Sequence, residues 1–176
     1  LKRVSRHCYM LESIEDNQKW GRYTFLGYDP KLELTCTDGR LTVKNGTSMV
    51  FETKHPGEYI RQIVKENKSP RIEGLPTFTG GLVGYFSYDY MKYAEPALKL
   101  TAKDEEGFKD VDLMLFDKVI AYDHLKQKIV LVVNMKTDSV MENYGKACAA
   151  LEGMAALIND QTPLPPLKAT GRPNFT

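Results

Sequence analysis

The sequence lacks the features that mark several broad classes of protein. Its 176 residues include only three cysteines, which are an odd number and lie far apart, so neither a disulfide framework nor a zinc site is predicted. The longest apolar runs, such as Ile129–Val133, are too short to cross a bilayer, and no signal peptide is visible. These absences predict a cytoplasmic protein with reduced thiols and no metal site.

Net charge and phosphate-binding loops are also missing. The 24 Lys and Arg residues and the 23 Asp and Glu residues leave a formal net charge of +1, and the basic residues are scattered, so no footprint for nucleic acid is present. Gly80, Gly81 and Gly84 cluster, but they match neither the Walker spacing nor the dinucleotide fingerprint. Close packing of the backbone in a sheet is the better interpretation of these glycines.

Recognisable catalytic machinery is equally sparse. The sequence has no nucleophile elbow, and spacing alone assigns no pair of carboxylates to acid–base chemistry. Asp123 and His124 lie at the end of a predicted hairpin, where polar residues are ordinary, and we interpret them as an exposed turn pair. The sequence therefore predicts no catalytic residue and no cofactor in this chain.

Two sharp turns are the clearest structural signal. An Asp-Gly pair at 38–39 and an Asn-Gly pair at 45–46 separate three strand-like runs, Leu32–Thr37, Leu41–Lys44 and Met49–Thr53. Both dipeptides favour the positive backbone angles of a type I′ turn, which matches the twist of paired strands. These residues predict a three-stranded antiparallel meander.

A stretch rich in glycine and aromatic residues, Leu75–Pro96, is predicted to occupy the centre of a sheet. Aromatic residues favour a pleated, half-buried strand, and we expect a strand and a bend there. A short helix over Tyr90–Ala94 should follow, with Asp89 as its N-cap and Pro96 as its end.

The remaining periodicity predicts further strands and two helices. They are the strands Arg6–Ser13 and Arg22–Tyr28, the helix Pro56–Lys65, a hairpin of Val111–Asp123 with Lys128–Asn134, and the helix Ser139–Ile158 with a Ser139/Glu142 capping box. This order is not regular βαβ alternation, so the predicted class is α+β with a mostly antiparallel sheet and packed helices. Residues 1–160 form the predicted domain, and the Pro-containing residues 161–176 read as a linker.

One small group of side chains suits a zwitterionic ligand. Glu12 offers an acceptor for an ammonium group, Ser13 offers a hydroxyl, and Arg22 on the next strand offers a cationic fork. Glu and Arg on neighbouring strands are also an ordinary surface pair, and the chemistry alone leaves both interpretations open.

Several phrases in order resemble the N-terminal domain of the anthranilate synthase component I family. They are Met10–Ser13, Gly21–Pro30, Phe78–Asp89, Val111–Met114, Phe116–Asp117 and Tyr122–His124. Each phrase is modest alone, but the ordered set covers nearly the whole chain. The family normally has Leu-Leu before Glu-Ser, and Met10 is an adaptable apolar substitute of similar volume.

The resemblance implies an enzyme that makes anthranilate and pyruvate from chorismate and glutamine-derived ammonia in tryptophan biosynthesis. The family's catalytic and magnesium-binding residues lie in a C-terminal chorismate-binding domain, so this chain is expected to be inactive alone and to have that domain as a partner. A glutamine amidotransferase subunit, component II, is the second implied partner. In that family the Leu-Glu-Ser phrase lines a feedback site for L-tryptophan, so the resemblance implies contacts from Leu11, Glu12, Ser13, Arg22 and Tyr23.

Three alternatives remain open at this point. The N-terminal domain of aminodeoxychorismate synthase component I shares the fold and belongs to the folate pathway. A stand-alone ligand-binding domain and a purely structural domain with a decayed effector site are the other two. The Glu12-Ser13 phrase followed by Gly21–Pro30 favours anthranilate synthase.

Overall fold

A computed structural model describes residues 1–12, 21–95, 97–98, 100 and 104–163 of the chain. Within them the strands are β1 Cys8–Leu11, β2 Tyr23–Tyr28, β3 Leu32–Thr37, β4 Arg40–Asn45, β5 Thr47–Glu52, β6 Gly81–Phe86, β7 Val111–Phe116, β8 Lys118–Asp123 and β9 Lys128–Val133. The helices are α1 Pro56–Glu66, a 3₁₀ helix Tyr88–Tyr93, and α2 Val140–Asn159. No helix among the described residues is long and apolar enough to span a membrane.

The strands form two antiparallel sheets. A four-stranded sheet has the order β1-β2-β8-β9, and a five-stranded sheet has the order β5-β4-β3-β7-β6. Every ladder between these strands is antiparallel. The predicted α+β class with mostly antiparallel pairing is confirmed.

The predicted meander is present, but its two turns differ. Asp38 and Gly39 both have positive φ, 48° and 82°, as a type I′ turn requires. At the second turn Asn45 pairs directly with Thr47, and only Gly46, with φ of 72°, lies between the strands. Because pairing continues further than the sequence suggested, no two-residue loop remains there, and the type I′ prediction for Asn45 is wrong.

The predicted long strand Val111–Asp123 is divided between the two sheets. β7 pairs with β3 and β6 in the five-stranded sheet, whereas β8 pairs with β2 and β9 in the other. The chain crosses at Asp117, whose carbonyl accepts a hydrogen bond from the Asn134 backbone N–H at 2.8 Å. The predicted hairpin therefore holds only for β8 and β9.

The glycine-aromatic strand lies at an edge of the described sheet, so its predicted central position is wrong. β6 follows β7 at the end of the strand order, and Tyr85 and Phe86 are 41% and 50% exposed. The interpretation of close backbone packing is confirmed at Gly84. This residue has a φ of 152°, and a Cβ there would overlap the Asp112 carbonyl oxygen.

The two α-helices occur where predicted, and Ser139 occupies the predicted N-cap position of α2, but its predicted capping box does not form. Ser139 makes no side-chain capping bond at the start of α2; instead Asp138 accepts hydrogen bonds from the Ser139 N–H and the Asn143 side chain, both at 2.9 Å. The 3₁₀ helix is preceded by Ser87 rather than Asp89, which lies in its first turn. Pro96 lies outside the described residues.

One hydrophobic cluster joins the five-stranded sheet to α1. It is made of Leu34, Cys36, Leu41, Val43, Ile63, Val111, Leu113 and Leu115. Aromatic rings extend this core towards the four-stranded sheet: the ring of Tyr9 lies 4.7 Å from that of Phe116, and the ring of Phe25 lies 5.6 Å from that of Phe78. One face of the four-stranded sheet is thus directed inward.

Candidate functional site

The predicted site residues lie at one end of the four-stranded sheet. Leu11 pairs with Phe25 near the end of β1, and Tyr23 pairs with Asp123 where β2 begins and β8 ends. Glu12 directly follows β1, and Arg22 directly precedes β2. Ser13 lies outside the described residues, so its role stays a prediction.

Arg22 is fixed by a bidentate ion pair with Asp123. The Arg22 Nε lies 3.0 Å from Asp123 Oδ1, and the Arg22 Nη2 lies 2.7 Å from Asp123 Oδ2. The parallel geometry gives direction as well as attraction. Two of the five guanidinium N–H donors are thereby used within the protein.

Asp123 is buried, with 1% of its surface exposed, so its interpretation as an exposed turn residue is wrong. Its Oδ1 also accepts hydrogen bonds from the Leu125 and Lys126 N–H groups, each at 3.1 Å. The hydrogen bonds from Arg22 and from these backbone groups hold the pKa of Asp123 well below its ordinary value. The same pair raises the pKa of Arg22.

Glu12 belongs to a second polar chain of contacts through Thr24. The Thr24 hydroxyl oxygen lies 3.5 Å from Glu12 Oε1 and 2.8 Å from His124 Nε2. Thr24 is 7% exposed, whereas Glu12 and His124 are exposed. When the hydroxyl donates to Glu12, His124 Nε2 donates to the hydroxyl, and the three groups are satisfied in sequence.

The predicted set is divided between the two faces of the sheet. Successive strand residues point to opposite faces, and directly paired residues share a face. Tyr23 therefore lies on the face of Phe25, whose ring is 5.6 Å from its own, and Leu11 shares that face. Glu12 contacts Thr24, which points to the opposite face. The structure connects Glu12 to His124 through the Thr24 hydroxyl, and it brings Arg22 and Tyr23 to Asp123.

The sequence did not predict Thr24 as a site residue, and the predicted exposure is wrong for Asp123 but confirmed for His124. The usable signal at Thr24 is a polar residue inside the apolar strand Tyr23–Tyr28. The buried position of Asp123 follows from the pairing of β8 with β2, which no local pattern predicts.

A second buried carboxylate lies under the Asp38-Gly39 turn. Asp110 accepts hydrogen bonds from the Asp38 N–H and the Tyr93 hydroxyl, both at 2.7 Å, and Lys92 Nζ lies 2.8 Å from its other oxygen. The Tyr93 oxygen in turn accepts from the Gly39 N–H at 2.6 Å. Burial opposes ionisation, but the bonds from Lys92 and its neighbours outweigh it and lower the pKa of Asp110.

Known proteins resemble this chain along most of its length. A family model described as chorismate binding enzyme matches residues 6–174. This chain belongs to the chorismate-binding enzyme family. Among the described residues of this family member, no cluster of His, Cys, Asp and Glu could hold a metal ion.

Three relatives from distant organisms carry the same name. Anthranilate synthase component 1 of Acinetobacter calcoaceticus is 36% identical over 157 residues, which are 86% of this chain and 31% of that protein. The Saccharomyces cerevisiae protein is 31% identical over 91% of this chain and 30% of its own length. The Aquifex aeolicus protein is 37% identical over 84% and 30%. The chain spans about a third of the length of these relatives.

A solved structure supports the fold. Anthranilate synthase component I from Streptococcus pneumoniae TIGR4 matches with a TM-score of 0.65 and 22% identity, over 90% of this chain and 33% of that chain. The match confirms the predicted fold class of this chorismate-binding enzyme family member. The division into residues 1–160 and a linker at 161–176 stays a prediction, and most of that linker lies outside the described residues.

Proposed function

We propose that this chain is the regulatory, tryptophan-binding part of an anthranilate synthase component I. In the full-length enzyme, chorismate and glutamine-derived ammonia would give anthranilate and pyruvate. The support is the family membership, the name shared by the relatives, and the Leu11-Glu12-Ser13 phrase at the end of β1. The catalytic and magnesium-binding groups would lie in a second domain, and component II would supply the ammonia.

The observation that carries the ligand proposal is the exposed carboxylate of Glu12 beside Thr24 and His124. A carboxylate at the end of a strand can accept hydrogen bonds from the ammonium group of an amino acid. Ser13 would add a hydroxyl contact. Because Leu11, Tyr23 and the Arg22–Asp123 pair lie on the opposite face of the sheet from Glu12, the ligand would lie across the end of the sheet, with its carboxylate towards Arg22 and its apolar part on Leu11 and Tyr23. The part of Ser13 rests on the motif alone.

The proposed regulation is heterotropic. Tryptophan would bind between this domain and the chorismate-binding domain, and would favour a relative placement that binds chorismate poorly. Useful inhibition requires a coupling free energy of about 1–3 kcal/mol between the two sites. Because coupling is reciprocal in binding free energy, chorismate should weaken tryptophan binding by the same factor.

The test uses the full-length protein with chorismate, Mg²⁺ and ammonium, with the product identified by chromatography as L-tryptophan is raised. We expect anthranilate, and its formation should decline with tryptophan. Ser13→Ala and Ser13→Leu should raise the half-inhibitory tryptophan concentration, each measured against the variant's own uninhibited rate. Aminodeoxychorismate as the product, or anthranilate formation indifferent to tryptophan, would contradict the proposal.

A further inference from the structure

The adjacent residues Asp123 and His124 are connected to the two charged side chains that are predicted to contact the ligand, Arg22 and Glu12. Asp123 holds Arg22 directly, and His124 reaches Glu12 through the Thr24 hydroxyl. The two side chains can serve opposite faces of the sheet because consecutive strand residues point in opposite directions. The His124 N–H also bonds to the Arg22 carbonyl at 2.9 Å, which fixes the dipeptide against β2.

We propose that Thr24, His124 and Asp123 are positioning residues of the amino-acid ligand site. Thr24 and His124 set the direction of the Glu12 carboxylate, and Asp123 sets the direction of the Arg22 guanidinium. The inference rests on the function proposed above and adds residues outside the Leu-Glu-Ser phrase.

The case for Thr24 rests on its burial and its two partners. Its hydroxyl is held between an exposed imidazole and an exposed carboxylate, while the rest of the residue is enclosed. A carboxylate at the end of an edge strand otherwise has several rotamers of similar energy. The Thr24 hydroxyl, 3.5 Å from Glu12 Oε1, favours the rotamers that keep the carboxylate beside it. This preference reduces the ordering that a ligand must impose, and such preorganisation strengthens binding.

The case for Asp123 rests on the rigidity of its own oxygens. Oδ1 is already held by the N–H groups of Leu125 and Lys126 in the turn before β9. The carboxylate therefore cannot rotate with the arginine, and the planar fork must align with it. The turn at Leu125 and Lys126 therefore sets, through Asp123, the direction of the remaining N–H donors of Arg22.

The decisive experiment measures tryptophan inhibition of the full-length protein for Thr24→Val and Thr24→Ser. Valine keeps the shape and removes the hydroxyl, and we expect the half-inhibitory concentration to rise about threefold to fivefold, because the contact to the Glu12 carboxylate spans 3.5 Å and is weaker than a full hydrogen bond to a charged group. Serine restores the hydroxyl and should restore most of the sensitivity. His124→Ala approaches the same contact from an exposed position and should act in the same direction.

A double-mutant cycle separates positioning from a general loss of structure. If Thr24 acts through Glu12, Thr24→Val should add little to the effect of Glu12→Gln, because interacting residues are not additive. Asp29→Asn is the matched control, since it removes an exposed pair with Lys118 at the other end of β2, and it should leave inhibition unchanged.

The outcomes also separate this inference from the proposed function. Normal sensitivity in Thr24→Val and His124→Ala, together with weakened sensitivity in Glu12→Gln, would overturn the inference and leave the proposed function standing. Full additivity in the cycle would also overturn it. A wild-type protein that tryptophan does not inhibit would overturn the proposed function itself.

Discussion

Two buried carboxylates, Asp110 and Asp123, have the same local chemistry in different settings. Each lies at an end of a strand in the run that crosses between the sheets, and each holds one cation and the backbone of one turn. The partners of Asp110 also bind one another, because the Tyr93 oxygen accepts a hydrogen bond from the Gly39 N–H in the same turn. The cation of Asp123 is Arg22, a predicted ligand contact. A buried, paired carboxylate is therefore no sign of function until the position of its partner is known.

The largest expected effect comes from Asp110→Ala. The substitution leaves the Tyr93 hydroxyl and the Asp38 N–H without their shared acceptor, while Lys92 keeps its pair with Asp38 Oδ1 at 2.6 Å. From the two unsatisfied donors we expect a loss of about 3–5 kcal/mol in the free energy of unfolding. Urea unfolding measures it. Tryptophan sensitivity at a temperature where the variant is folded should be unchanged. If Asp110→Ala lost tryptophan sensitivity without losing stability, Asp110 would belong to the ligand site, and its assignment as a purely structural carboxylate would be wrong.

A substitution that changes no charge, in the sheet next to Asp110, tests the same comparison between a structural region and the candidate site. Gly84→Ala should cost about 2–3 kcal/mol, because a Cβ meets the Asp112 carbonyl and the φ of 152° disfavours a side chain. Urea unfolding again provides the measurement, and Gly145→Ala, where a Cβ meets nothing within 4 Å, is the matched control. Equal stability of the two variants would show that β6 does not need glycine at this position.

Tyr93→Phe tests how closely the Asp110 cluster is coupled. The ring is kept, but the Gly39 N–H loses its acceptor and Asp110 loses one donor, so we expect a loss of about 1–2 kcal/mol. Burial and the bond to Asp110 raise the pKa of Tyr93, so its hydroxyl is a neutral donor at physiological pH. A double-mutant cycle with Asp110→Ala should show strong non-additivity; additive effects would mean that the two residues act separately.

The sequence predicted what depends on local pattern. The Asp38-Gly39 turn, α1 and the pairing of β8 with β9 follow from turn chemistry and periodicity, and they occur as expected. The crossing at Asp117 and the edge position of β6 were missed because they depend on which sheet each strand joins. Periodicity within one strand carries no information on that choice.

The candidate site was predicted only in part, for the same reason. The charge and type of Glu12 and Arg22 predict ligand contacts, and the structure places both residues at one end of the sheet. The turn-like neighbours of Asp123 predict an exposed residue, whereas its environment is set by β2, about a hundred residues earlier in the chain. Strand pairing across such a separation brings residues together that no spacing rule connects.

The smallest expected effect is the pH dependence of Asp123→Asn. The asparagine oxygen can still accept from Leu125 and Lys126, so only the charged pair with Arg22 is lost. The pKa of Asp123 is lower in the folded state than its unfolded value of about 3.9, so the carboxylate adds stability above about pH 4. That contribution is lost as the pH falls towards the folded pKa. The gap in melting temperature between wild type and Asp123→Asn should therefore be constant above about pH 5 and narrow as the pH falls from about 4 to about 2, and the Asp29→Asn gap should stay small throughout. An Asp123→Asn gap that stayed constant over the whole range would mean that the pair with Arg22 does not stabilise the fold, and that the alignment of Arg22 has to be explained by the turn alone.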